Sequence, residues 1–164
     1  MLNCFICCYF DEYGKGEKEY MVEQDTVKLL RECDAGTKMG ISSIEDVLDK
    51  VKSKELSKLL EKCMDEHREL LSEIQAALEK YKDDGKDPNP IAKGMAHMKT
   101  GIKTVMDPND ETIADLMTDG CNMGVKSLSG YLNKYKAADE HSKDIAKKLI
   151  KLEEQLAVDI RDYL

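Results

Sequence analysis

Apolar side chains recur at alternating spacings of three and four residues in four long stretches of this chain. Such spacing places them on one face of an α-helix, so each stretch predicts a long amphipathic helix. A few polar residues and glycines fall in the same spacing and are included here. The four sets, in chain order, are Val27, Leu30, Asp34, Thr37, Ile41, Ile44, Leu48 and Val51; Leu56, Leu60, Cys63, His67, Leu70, Ile74, Ala77 and Tyr81; Ile113, Met117, Gly120, Gly124, Leu128, Tyr131 and Tyr135; and Ile145, Leu149, Leu152, Leu156, Ile160 and Tyr163.

The segments between these helices differ in length. Residues 52–54 and 137–139 leave room only for tight helical hairpins. A breaker segment, residues 82–90, opens a long connection between the second and third long helices. Within it, apolar positions from Ile91 to Val105 predict a short helix, and Asp107 and Pro108 are predicted as the N-cap and first residue of the next long helix.

Two hairpins joined by a long connection are typical of ferritin-like bundles, which have one long crossover. The predicted fold is therefore all-α: a ferritin-like up-down four-helix bundle with a short extra helix in the long middle connection. A five-helix bundle with the short helix as a full member is the alternative. Residues 21–164 are predicted to form this single domain.

Residues 1–20 are interpreted as an extension outside the core, because the helical pattern begins just after Met21. Cys4, Cys7 and Cys8 are too few for a closed zinc site, which needs four ligands, although a redox role stays open. Residues 15–17 can be encoded by a ribosome-binding sequence shortly upstream of the Met21 codon. We hypothesise that Met21 is the natural start; an intact mass containing Cys4 in natively expressed protein would contradict this.

Composition narrows the class of protein further. The net charge is −8, and charged residues make up 35% of the chain, against roughly a quarter in typical domains. Aromatic residues are only 5%, which disfavours a β-sandwich or barrel. A net acidic chain without a basic block is a poor candidate for binding nucleic acid or an anionic membrane. No secretory signal or stretch of ~20 apolar residues is present, so a cytoplasmic location is expected.

The three histidines test for ferritin-like metal chemistry. Dinuclear sites in such bundles use Glu-x-x-His pairs. The residues three positions before the histidines are Met64, Gly94 and Ala138, so no such pair exists in the chain. Oxidase and ferroxidase chemistry therefore lack their ligands, and we expect no cofactor.

His67 nevertheless occupies the apolar face of the second helix. Folding the first hairpin about residue 53 or 54 places it near Ile41, with Asp34 on the order of 10 Å further along the helix. An interior hydrogen-bonded histidine is the favoured interpretation. The alternative is a degenerate metal site that combines His67 with Asp34, Glu66 or Glu73.

Cysteines and glycines lie on or beside the same helix faces. Cys33, Cys63 and Cys121 are predicted to be buried free thiols that pack as small apolar side chains. Two glycine pairs are spaced four residues apart, Gly36 with Gly40 and Gly120 with Gly124. Because glycine destabilises a helix interior, these positions indicate close packing or room for a bulky neighbour, with a substrate gap as the alternative.

Three segments carry a resemblance to a known family: Leu30-Arg-Glu-Cys-Asp-Ala-Gly-Thr-Lys-Met-Gly40, Asn89-Pro-Ile-Ala-Lys-Gly94 and Ile113-Ala-Asp-Leu-Met-Thr-Asp-Gly-Cys-Asn-Met-Gly124. From Met21 onward the chain resembles an uncharacterised ferritin-like family of bacterial cytosolic proteins. The resemblance implies a fold and no mechanism. We expect a non-enzymatic bundle that acts through protein association, as a homo-oligomer, with the degenerate metal or small-ligand site as the alternative.

Overall fold

The computed structural model describes the backbone of residues 5–88 and 108–164, and the side chains within these ranges from Tyr20 onward. These parts of the chain contain helices and no strand, which confirms the all-α prediction. The elements are α1 (Phe5–Leu48), α2 (Lys54–Glu79), α3 (Asp110–Lys134), α4 (Glu140–Asp159) and a 3-10 helix (Arg161–Tyr163). The short helix predicted between Ile91 and Val105 lies outside the described residues.

At one end of the bundle, the connection between α1 and α2 packs against the start of α3. The Asp110 carboxylate accepts hydrogen bonds from the backbone N–H of Lys52 at 2.7 Å and of Ser53 at 2.9 Å. The Tyr163 hydroxyl lies 3.4 Å from the Ser53 hydroxyl, which places the end of the chain there too. The ends of α1 and α4 and the beginnings of α2 and α3 therefore share this end.

The opposite end is closed by residues 135–139, which connect α3 to α4. The backbone N–H of Ala137 donates to the Asp25 carboxylate at 3.0 Å, and that of Asp139 donates to the Thr26 hydroxyl at 2.9 Å. With α1 and α4 running one way, α2 and α3 run the other. The end of α2 and the beginning of α3 therefore lie at opposite ends of the bundle.

The beginning of α3 corrects one prediction. Pro108 is not the first residue of that helix, because the N-cap is Asn109. The Asn109 side chain accepts hydrogen bonds from the Thr112 backbone N–H at 2.8 Å and from its hydroxyl at 2.7 Å. The first of these bonds satisfies an N–H group that has no partner within the helix, so it fixes where α3 begins. Asp107 itself lies outside the described residues.

The beginning of α1 corrects a second prediction. The helix is continuous from Phe5 rather than starting after Met21. Among its side chains from Tyr20 onward, the first that is fully buried is Thr26. Whether translation starts at Met21 stays a prediction. Among the described helices, none is long and apolar enough to cross a membrane.

The core consists of two apolar clusters, one toward each end of the bundle. The cluster at the α3–α4 turn contains Leu29, Leu30, Cys33, Leu70, Ile74, Ala77, Leu78, Leu128, Tyr135, Ala138, Ile145, Ala146 and Leu149. The cluster at the α1–α2 turn contains Ile44, Val47, Leu56, Leu60, Cys63, Met64, Ile113, Met117, Cys121, Leu156 and Ile160. Buried polar residues lie at the level between them, and these form the candidate site.

Candidate functional site

The two apolar clusters are separated by a layer of four residues, one from each helix. It contains Gly40 of α1, His67 of α2, Gly124 of α3 and Glu153 of α4, and is called the polar layer below. His67 and Glu153 are only 1% and 9% exposed. Because charged groups are costly to bury alone, such a layer requires that its polar atoms satisfy one another.

Both nitrogens of the His67 ring face hydrogen-bond acceptors. Nδ1 lies 2.8 Å from the Cys63 carbonyl oxygen one helical turn earlier, and Nε2 lies 3.3 Å from the Glu153 carboxylate. A carbonyl and a carboxylate only accept, so each ring nitrogen must carry a hydrogen to make its bond. This geometry selects the positively charged imidazolium, paired with a negatively charged Glu153.

The two glycines make room for these side chains. A Cβ added at Gly40 would lie 2.6 Å from His67 Nε2, and one added at Gly124 would lie 3.3 Å from the Glu153 carboxyl carbon. The prediction that such glycines accommodate a bulky neighbour is thus confirmed at Gly40 and Gly124. The space that they leave is filled by the ion pair, so no substrate gap exists at these two positions.

Electrostatics agree with the charged pair. Burial alone would lower the pKa of His67, but its hydrogen bonds to Cys63 and Glu153 and the Glu153 charge outweigh burial and raise the pKa to about 10. Burial and the neighbouring Glu153 carboxylate raise the pKa of the Cys121 thiol, which hydrogen-bonds to that carboxylate. The layer therefore contains the charged pair of His67 and Glu153, and the Cys121 thiol beside it stays protonated at neutral pH.

This arrangement limits what the layer can do chemically. A histidine binds a metal ion through the lone pair of a neutral ring nitrogen, and both nitrogens of His67 carry hydrogens. Among the residues that the structure describes, no group of three or more His, Cys, Asp or Glu side chains is arranged to hold a metal ion. A metal ion could enter only by displacing protons and rearranging the donors.

Asp34, the first carboxylate considered as a partner of His67, is engaged elsewhere. Its Oδ2 accepts from the Lys86 backbone N–H at 2.8 Å and lies 2.9 Å from Lys38 Nζ. Gly85, with φ of +82°, passes so close that a Cβ there would lie 2.4 Å from Oδ2. Asp34 is fully buried and fastens the segment after α2 onto α1. His67 and Asp34 are not brought together.

Glu66 and Glu73, the other candidate partners, lie at the surface between α2 and α4. Glu66 is 3.7 Å from Lys62 Nζ, and Glu73 is 2.8 Å from Lys148 Nζ. Both line an open groove of about 470 Å³ together with Lys148 and Lys151. Neither carboxylate is a partner of His67, so of the four predicted site residues only His67 belongs to the polar layer.

Glu153 is the functional candidate that sequence reasoning missed. It lies four residues after Leu149 and three before Leu156, which is the same spacing as the apolar face. Its neighbour Leu152 also fits a three-four pattern, and Leu152 rather than Glu153 was assigned to the interior face from the sequence because leucine is hydrophobic. Gly124 is the sequence signal that could have indicated Glu153, because a glycine on the interior face of a helix leaves space that a large side chain of a neighbouring helix can fill.

The three cysteines of the bundle are buried and unpaired, which confirms the thiol prediction. Burial, with the carboxylates of Glu32 and Asp34 nearby, raises the pKa of Cys33 to about 12. Thiolates are the reactive form, so this raised pKa disfavours nucleophilic or redox chemistry at Cys33. The cluster of Cys4, Cys7 and Cys8 lies among residues whose side chains are not described.

Comparisons with known proteins identify a family but no function. Nothing matches the chain among curated proteins or among solved structures. A family model described as a domain of unknown function, DUF2383, matches residues 25–134. The match begins one residue before the buried Thr26 and ends with α3. It contains Gly40, His67 and Gly124 and excludes Glu153. By this match, which covers about two thirds of its length, the chain belongs to the DUF2383 family.

Proposed function

We propose that this protein is a ferritin-like helical bundle without diiron chemistry that acts through association with other protein surfaces. The ferritin-like assignment is supported by the direction of the helices. In ferritin-like folds one long crossover joins two parallel helices. Here α2 and α3 are parallel, and the end of α2 lies at the opposite end of the bundle from the beginning of α3, which supports that topology. A charged histidine–carboxylate pair lies in the bundle interior, the region in which such folds bind metal.

The association is supported by one observation above all: α1 is much longer than the bundle. It contains 44 residues, against 20 to 26 in the other described α-helices. Tyr20 and Met21, where it passes the end of the bundle, are 63% and 59% exposed. Large exposed apolar side chains on a helix that leaves its own domain are typical of surfaces that bind another chain.

Size-exclusion chromatography with light scattering over a wide range of protein concentrations tests this function. We expect a molar mass above that of the single chain, increasing with concentration if the subunits exchange. A monomer at every concentration, with no partner retained from a lysate of the source cells, would contradict association.

A second function, a degenerate metal or small-ligand site, is favoured by the cluster around His67. Cys63 Sγ lies 3.5 Å from Nδ1, and Glu153 connects His67 to Cys121. Two thiols, an imidazole and a carboxylate are donors that suit zinc, but they would have to lose protons and rearrange, because in the described residues they are not arranged to hold a metal ion. Elemental analysis of protein purified without added metal tests this alternative: near one equivalent of a transition metal would favour it, and only traces would exclude its metal form.

A further inference from the structure

Residues 82–88, called the strap below, follow the end of α2 and lie against the side of α1. Five of the seven residues are charged, and the other two are Gly85 and Pro88. None of them belongs to either apolar cluster of the core. The strap is therefore held against α1 without the burial of large apolar side chains, which is the main stabilising contribution in the helices.

Three ion pairs connect the strap to one stretch of α1, and in each pair one residue belongs to the strap and the other to α1. They are Asp83 with Arg31 at 3.1 Å, Lys86 with Glu32 at 2.7 Å, and Asp87 with Lys38 at 3.3 Å. A hydrogen bond from the Lys86 backbone N–H to the Asp34 carboxylate, at 2.8 Å, adds a fourth contact. The ion pairs are partly exposed, so each contributes little by itself and is weakened by dissolved salt.

Two features of the attached strap are unfavourable. Asp34 Oδ1 is buried and has no hydrogen-bond partner among the described residues, so it loses its hydration without compensation. Lys82 has a φ of +54°, a left-handed conformation that residues with a side chain rarely adopt. When the strap detaches, water can reach Oδ1 and Lys82 can relax. Both changes offset part of the loss of the ion pairs.

We propose that the strap is an ionic latch: it opens as a unit while the four helices stay folded, and the salt concentration sets how often it opens. Opening exposes Asp34, the α1 carboxylate that is fully buried under the attached strap. Segments with few buried apolar contacts open at a lower free energy than the core does. The ion pair of His67 and Glu153 is buried, so salt screens it much less than the strap contacts. This inference does not depend on the proposed association.

Hydrogen exchange of single amides, followed by NMR on the full chain, tests the latch. The Lys86 amide reports opening of the strap, because its hydrogen bond to Asp34 joins the strap to α1. The amide of Leu149, a fully buried residue of α4, reports unfolding of the bundle. A free peptide of residues 82–88 gives the unprotected exchange rate of Lys86 at each salt concentration.

The expected result is a response to salt at one amide and not at the other. Between about 0.05 and about 0.5 M NaCl, exchange at Lys86 relative to the peptide should accelerate at least roughly threefold. Exchange at Leu149 should stay unchanged. An exchange rate at Lys86 that does not respond to salt would overturn the ionic latch. Equal acceleration at both amides would overturn it too, because the strap would then open only when the bundle unfolds.

A pair of variants tests whether the ion pairs hold the strap. Glu32→Gln removes the charge that pairs with Lys86. It should accelerate exchange at the Lys86 amide in low salt and reduce the further effect of salt. Glu45→Gln is the matched control, because Glu45 is also an α1 carboxylate in an ion pair, with Arg68 of α2 instead of the strap. It should leave exchange at Lys86 unchanged, and equal exchange in the two variants would refute the role of the ion pairs.

Discussion

Replacing Gly40 by alanine tests the polar layer with a single added methyl group. That Cβ would lie 2.6 Å from His67 Nε2 and 2.8 Å from Cδ2 of the same ring. Real Cβ atoms do not approach other heavy atoms so closely, so the ring must shift. The ring is held by hydrogen bonds at both nitrogens, and a shift away from α1 strains its contact with Glu153.

Gly36, one turn earlier in α1, is the matched control. A Cβ there would lie 3.8 Å from a methyl group of Leu149, which is an ordinary van der Waals contact. Both substitutions gain the helix preference of alanine over glycine, roughly 0.5–1 kcal/mol. Only Gly40→Ala also overpacks the interior, which typically costs about 1–3 kcal/mol. Because the gain is common to both variants, their difference isolates the cost of disturbing the layer.

Urea unfolding followed by circular dichroism measures this difference. We expect Gly36→Ala to increase the free energy of unfolding by about 0.5–1 kcal/mol. Gly40→Ala should fall about 1–3 kcal/mol below that variant. In a thermal scan each kcal/mol corresponds to roughly 2–4 °C for a domain of this size. Equal stabilities for the two variants would refute the packing of His67 against Gly40.

Three further results are expected. Because the pKa of His67 is raised from 6.5 to about 10, the ion pair contributes its full stability below about pH 6.5 and loses it as the pH rises toward 10. The free energy of unfolding of the Glu153→Gln variant should therefore fall less between pH 6.5 and about 10 than that of the unaltered chain. Equal dependence on pH in the two proteins would contradict the ion pair. Asp34→Asn should lower the free energy of unfolding by about 1–3 kcal/mol and speed tryptic cleavage of residues 82–88, because it weakens the bonds of the buried carboxylate to Lys86 and Lys38. Asp87→Asn, at a carboxylate that is 96% exposed, should change neither the free energy of unfolding nor the rate of cleavage. In the chain starting at Met21, Cys33 and the two other thiols should react with a thiol reagent only as fast as the protein unfolds, and immediate labelling of the native protein would show that they are not buried.

The helices of this fold were predictable because their signal is local. An apolar face repeats every three or four residues whatever the helix packs against, so the hairpin turns near residues 53 and 138 also follow from the sequence. Helix ends are less certain, since Asp107 with Pro108 and Asn109 with Asp110 both satisfy the capping preferences. Only the hydrogen bonds to Thr112 decide between them.

The polar layer could be predicted only in part, because it depends on the relative register of helices far apart in sequence. His67 was predicted to be an interior histidine near Ile41 of α1, and in the structure it packs against Gly40, the residue before Ile41. Its partner was sought among nearby carboxylates in the first hairpin. Glu153 comes from a helix 86 residues later, and the height at which α4 packs against α2 is set by the whole interface.

Asp110 at the start of α3 has an electrostatic consequence for the whole assembly of helices. Because α2 and α3 run in the same direction, their N-termini, each with a partial positive charge, lie at the same end of the bundle. The Asp110 carboxylate belongs to the first turn of α3 and also binds the N–H of Ser53, the N-cap of α2. One negative charge therefore offsets two helix dipoles, and it couples the beginnings of helices that no short turn connects.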